Sequence, residues 1–146
     1  MKNFAIIKKD EQIYKSSKTV SNCPYLHTLT SVFTDRLSFA KNILAELKDS
    51  NGRGMAGNVT RVEIEGQTIT IAYFYADDEA IAIDRQQLII IMTKVIDLME
   101  KEADYLVLTQ EHENSSIEVS DTLSEGFELY TEDKELKYRY NPSVTK

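Results

Sequence analysis

The amino-acid sequence predicts an α+β domain, a mostly antiparallel sheet with two main helices packed on one face. Three observations carry this. Residues 25–48 and 84–103 repeat apolar side chains at spacings of three and four, the pattern of an amphipathic helix. Between them an alternating stretch broken by one glycine reads as a β-hairpin, which disfavours the single strands of a doubly wound parallel fold. No repeat, low-complexity tract or Pro-rich linker interrupts the 146 residues, so residues 1–146 read as a single domain.

In chain order, residues 4–17 read as two short strands around Lys9, Asp10 and Glu11, with Ile13 and Lys15 alternating against Gln12 and Tyr14. Leu26, Leu29, Phe33, Leu37, Ala40, Leu44 and Leu47 then form one helical stripe. Its first half, HTLTSVFT, also alternates and is rich in β-branched residues, which fit a strand. On that second reading Thr34 is the N-cap of a shorter helix beginning at Asp35. Either helix stops before Gly52.

Residues 59–75, VTRVEIEGQTITIAYFY, read as a hairpin turning at Glu65 and Gly66. Ile69, Ile71, Tyr73 and Tyr75 share one face of its second strand, and Ala72 and Phe74 the other, so this strand is expected to be central in its sheet. A short strand follows at residues 80–83. Asp84 with Gln87 three residues later is a capping-box pattern, and Leu88, Ile91, Met92, Val95, Leu98 and Met99 continue as a stripe to about Ala103. Strands are expected at residues 104–110 and 117–119, around a polar loop at 111–115. The last pair sets Phe127, Leu129 and Thr131 against Leu136, Tyr138 and Tyr140 across a turn at Asp133 and Lys134.

Residues 51–58, NGRGMAGN, spell G-x-G-x-x-G through Gly52, Gly54 and Gly57. In a dinucleotide-binding unit this motif leaves a strand and opens a helix, so that phosphate meets free N–H groups. Here it leaves a helix and enters a strand, and an anion would face carbonyls and the negative end of the dipole. The motif reads as a flexible helix-to-strand connector.

A chain of this length buries roughly 68–70% of its unfolded surface, enough for a core of its own. With one cysteine, Cys23, no internal disulfide is available. The apolar run Phe4, Ala5, Ile6, Ile7 is too short for a signal peptide, and residues 88–92 fall far short of the ~20 needed to span a bilayer. A cytoplasmic protein without membrane contact is expected. The net charge of −7 argues against direct nucleic-acid binding. Its distribution is uneven: residues 100–135 hold twelve acids and two bases, whereas residues 1–99 are balanced at twelve of each.

Candidate chemistry is sparse. Cys23 and His27 are four apart with Pro24 between them, and nothing in the sequence orients the imidazole, so they read as a helix-start pair. His112, between Glu111 and Glu113, lacks ligands at zinc-site spacing. Asp77, Asp78 and Glu79 at a strand end are the best enzyme alternative, a small divalent-metal-dependent activity. No cofactor and no metal site is expected. A homo-oligomeric accessory protein joined through exposed sheet edges is the further alternative.

The acidic sector is the strongest feature. Glu118 alternates with Ile117 and Val119, and Glu128 with Phe127 and Leu129, which places these acids on solvent faces of strands. Tyrosines among them, Tyr105 and Tyr130, supply contact area. Such a surface suits a basic protein partner, with Glu111, Glu113, Glu118, Asp121, Glu125, Glu128 and Tyr130 as candidate contacts. In size, charge and lack of an assembled catalytic set, the whole chain is similar in profile to the immunity proteins that neutralise bacterial toxins. That resemblance implies a stoichiometric inhibitor that binds a cognate toxin, often a basic nuclease, and covers its active site or substrate surface.

Overall fold

A computed structural model describes residues 2–34, 36–74, 80–123 and 126–140. In chain order its elements are β1 (Asn3–Asp10), β2 (Ile13–Ser21), α1 (Pro24–Thr30), a 3-10 turn (Ser31–Phe33), α2 (Leu37–Lys48), β3 (Gly54–Ala56), β4 (Thr60–Glu65), β5 (Thr68–Tyr73) and β6 (Ala80–Asp84). There follow α3 (Arg85–Glu100), β7 (Tyr105–Gln110), β8 (Glu118–Ser120), β9 (Phe127–Glu132) and β10 (Glu135–Tyr140). Every strand pairing is antiparallel and the fold is α+β.

The strands divide into two four-stranded sheets, ordered β2-β1-β7-β8 and β3-β4-β5-β6, and a separate β9-β10 hairpin. The helices are the common partner of both sheets, and one continuous core joins them. Into it project Ala5, Ile7, Leu106 and Leu108 from the first sheet and Val62, Ile64, Ile69, Ile71 and Ile83 from the second. The register Ala5↔Leu108 and Ile7↔Leu106 puts those four side chains on one face, since cross-strand partners point the same way.

The alternate residues, Phe4, Ile6, Val20 and Val107, face the other side of the first sheet and form a second, smaller core. Phe127, Leu129, Leu136 and Tyr138 of the β9-β10 hairpin cover it, with the Phe4 ring edge-on to Phe127 at 4.7 Å and to Tyr138 at 4.9 Å. This two-sided cover explains why Phe4, Ala5, Ile6 and Ile7 are all apolar and all buried. Strand β2 reaches Ser21, further than the alternation indicates, where Thr19, Val20 and Ser21 pair with Ile7, Ile6 and Ala5 beyond a register shift that leaves Lys9 opposite Tyr14. The expected central strand, β5, is central, between β4 and β6.

Residues 25–48 form neither one long helix nor a strand and a helix. They fold as α1, the 3-10 turn and α2. The hydroxyls of the β-branched stretch make this work, bonding back to carbonyls three residues earlier: Thr30 to His27 at 2.6 Å, Ser31 to Thr28 at 2.6 Å and Thr34 to Ser31 at 3.0 Å. Thr34 is consequently a donor to the preceding turn and not the N-cap of α2, a position taken by Arg36 without a side-chain capping bond. Asp35 lies outside the described residues.

Helix α3 begins as its sequence indicates, the Asp84 carboxylate accepting from the backbone N–H of Gln86 at 3.0 Å and Gln87 at 3.2 Å. It ends at Glu100, three residues short of the expected limit. There Glu102 turns to a positive φ of 56°, its N–H donating to the Met99 carbonyl and that of Ala103 to Leu98, a Schellman motif without glycine. At the other end of α3 the Arg85 guanidinium donates to the carbonyls of Leu47 (2.7 Å), Asp49 (2.7 Å) and Gly66 (3.0 Å). One side chain thus closes the C-terminus of α2 and ties it to the β4–β5 turn.

Candidate protein-binding surface

Four of the candidate acids gather at the β7–β8 end of the first sheet. Glu111 and Glu113 stand exposed on the loop after β7, Glu118 lies on β8 opposite Thr109, and Asp121 follows β8. The loop is held from beneath by Gln110, whose Nε2 donates to the carbonyls of Glu113 at 3.3 Å and Ser115 at 2.9 Å. His112 belongs to the same turn, its Nδ1 accepting from the Asn114 N–H at 3.3 Å, a structural use of the imidazole.

The fold does not bring Glu128 and Tyr130 into this group on the same terms. They lie on the outer face of the β9-β10 hairpin, where Glu128 meets Arg139 at 3.2 Å and the Arg139 guanidinium covers the Tyr130 ring at 4.4 Å. Glu132 pairs likewise with Lys137 at 3.1 Å, and Glu111 with Lys2 at 3.6 Å. Bases from outside the acidic sector of the sequence therefore lie beside several of its acids. Glu113, Glu118 and Asp121 make no ion pair with the described residues. Glu125 lies outside the described residues, as do Asp77, Asp78, Glu79 and Tyr75. Among the described residues no group of three or more His, Cys, Asp or Glu could hold a metal ion.

Beside the acidic loop is a hollow of about 530 Å³, with Glu113 and Gln110 on one side and Cys23, Pro24 and Tyr25 on the other. Cys23 and Pro24 separate it from a second hollow of about 450 Å³ that His27 lines. Cys23 is the N-cap of α1, partly buried, and the His27 N–H donates to its carbonyl at 2.9 Å. The His27 ring has other neighbours, Ser21 Oγ at 3.4 Å from Nδ1 and the Tyr73 ring edge-on at 5.8 Å. Burial pushes the Tyr25 phenol pKa upward, with the nearby Cys23 adding to the shift, and its hydroxyl donates to the Ala82 carbonyl at 2.9 Å.

The glycine motif is no phosphate cradle. Gly54 opens β3 and pairs with Glu63 of β4 at a φ of 110°. A Cβ there would lie 1.9 Å from the Val62 carbonyl oxygen, and one on Gly52 2.0 Å from that of Glu46. These glycines serve close backbone packing, so the connector is tighter than the flexible link its composition indicates.

Set against known protein families, curated proteins and solved structures, the chain matches none. No helix among the described residues is long and apolar enough to cross a membrane.

Proposed function

We propose that the protein is a stoichiometric inhibitor of the immunity type, which docks its acidic surface onto a basic partner such as a nuclease toxin. The observation that carries this reading is the trio Glu113, Glu118 and Asp121. These are exposed carboxylates on the described part of the acidic sector that no described residue engages in an ion pair. Carboxylates already bridged by lysine or arginine contribute little to an outside partner, whereas free ones steer its approach and keep their charge for the complex. Glu128 and Tyr130 offer a separate contact on the β9-β10 hairpin, with Tyr130 beside Thr19, Val20 and Ser21 of β2 and its ring held by the Arg139 contact at low entropic cost.

The reading is tested by affinity capture from lysate of the source organism with the wild type and with a Glu113→Lys/Glu118→Lys/Asp121→Lys variant. The expected result is a basic protein retained by the wild type, released by a salt step, and absent from the variant, with circular dichroism unchanged. Equal retention of every protein by both forms removes the proposed surface.

A further inference from the structure

Gln110 is 6% exposed, and the described residues use only the donor side of its amide. Its two Nε2 donations to loop carbonyls fix the orientation of the amide, because a carboxamide oxygen cannot take their place. Oε1 is left without a hydrogen bond from any described residue, and it is not sealed in: it opens onto the 530 Å³ hollow that Gln110 lines. The amide of Asn22, in the same wall, is already used, Oδ1 accepting from Phe4 N–H at 2.8 Å and Nδ2 donating to the Lys2 carbonyl at 3.1 Å. Glu113 also lines the hollow, its carboxylate without an ion pair to any described residue, while the Lys2 ammonium is engaged by Glu111 at 3.6 Å. Glu113, with its carboxylate, Gln110, with an amide oxygen that no described residue uses, and Pro24 and Tyr25 thus line one hollow.

We propose that this hollow is the socket for one arginine side chain of a basic protein partner, an inference that rests on the binding reading above. A guanidinium carries five N–H donors in a planar fork and no acceptor, the complement of this set. The fork pairs with the Glu113 carboxylate, a further N–H reaches Gln110 Oε1, and the flat cation lies against Tyr25.

The probe is N-acetyl-arginine methylamide, titrated into the full chain and followed by ¹⁵N NMR, with the citrulline analogue as its uncharged isostere. Shifts are expected for the backbone amides of residues 110–114 and the Gln110 side-chain NH₂. Citrulline should bind at least tenfold more weakly, and Glu113→Gln should weaken the arginine probe at least fivefold while the remaining spectrum is unchanged. An equal response to citrulline, or none to Glu113→Gln, overturns the socket. A socket that binds the probe while capture yields no basic protein refutes the inhibitor reading alone. A captured basic protein whose affinity is indifferent to Glu113→Gln refutes the socket alone.

Discussion

Glu102 holds the left-handed conformation that ends α3, a position that glycine fills without steric cost and that costs an L-residue roughly 1–2 kcal/mol. Its compensation is small, a 3.9 Å contact between its exposed carboxylate and the largely covered Lys9 side chain. Glu102→Gly should raise stability by about 0.5–1 kcal/mol once the greater freedom of an unfolded glycine is deducted, read as a higher urea midpoint; a lower midpoint would show that the Lys9 contact outweighs the strain. The same turn governs Tyr14, whose hydroxyl donates to the Ala103 carbonyl. Burial, then Asp104 and then Glu102, pushes its pKa from 10.0 to about 12. Because the folded value lies above the unfolded one, this contribution is complete below pH 10 and is lost as pH rises toward 12. Urea midpoints at pH 9 and pH 11 should fall further for the wild type than for Tyr14→Phe; parallel falls would exclude Tyr14 as the source. At this scale the sequence was legible where exposure followed alternation, as for Glu118, and for the Asp84 cap. It was silent on Glu102 and Gln110, because a non-glycine left-handed residue and an amide that the described residues use only on its donor side have no local pattern.

Among the elements, the secure readings were those with local causes. Helix α3 carries its own cap and stripe, and the β9-β10 hairpin its own register, turning at Asp133 and Lys134 with φ of 52° and 68°. The break between α1 and α2 was not legible, because one apolar stripe continues across it and only the hydroxyl bonds of Thr30, Ser31 and Thr34 reveal where the turn tightens. The joint between α2, the β4–β5 turn and α3 was also hidden. It depends on Arg85, whose three carbonyl acceptors lie 38, 36 and 19 residues away in the chain. Arg85→Ala should cost about 1.5–3 kcal/mol, the range of one charge-assisted bond, because only the bond to Leu47 is partly buried and those to Asp49 and Gly66 are exposed. Arg85→Lys should recover only part of it, since one ammonium lacks the fork that spans separate segments. Full recovery in the lysine variant, measured by chemical denaturation, would mean that charge near the α2 terminus matters and the shared bonding does not.

For the whole molecule, the sequence pointed to the α+β class and the antiparallel pairing of neighbours, but not to the division into two sheets. That division depends on β1 pairing with β7 across about a hundred residues, which no short window records. It also creates two cores of unequal size on the two faces of the first sheet. The larger joins both sheets and all three helices, and the smaller has four buried members, Phe4, Ile6, Val20 and Val107, under the hairpin. The covering residues Phe127, Leu129, Leu136 and Tyr138 are themselves only partly buried, and among the described residues β9 and β10 pair with each other and with no other strand. Little apolar area therefore opposes the lifting of the hairpin as a unit, and a unit held this way opens below the free energy of global unfolding. In native-state hydrogen exchange, the β9-β10 amides should exchange at lower free energy than those of β1 and β7. Tyr138→Ala should lower the hairpin value by about 2 kcal/mol, less than the loss at a fully buried aromatic, and leave protection of the α3 amides nearly unchanged. An equal fall at β9, β7 and α3 would show instead that the two cores open together, with the hairpin an integral part of one cooperative unit.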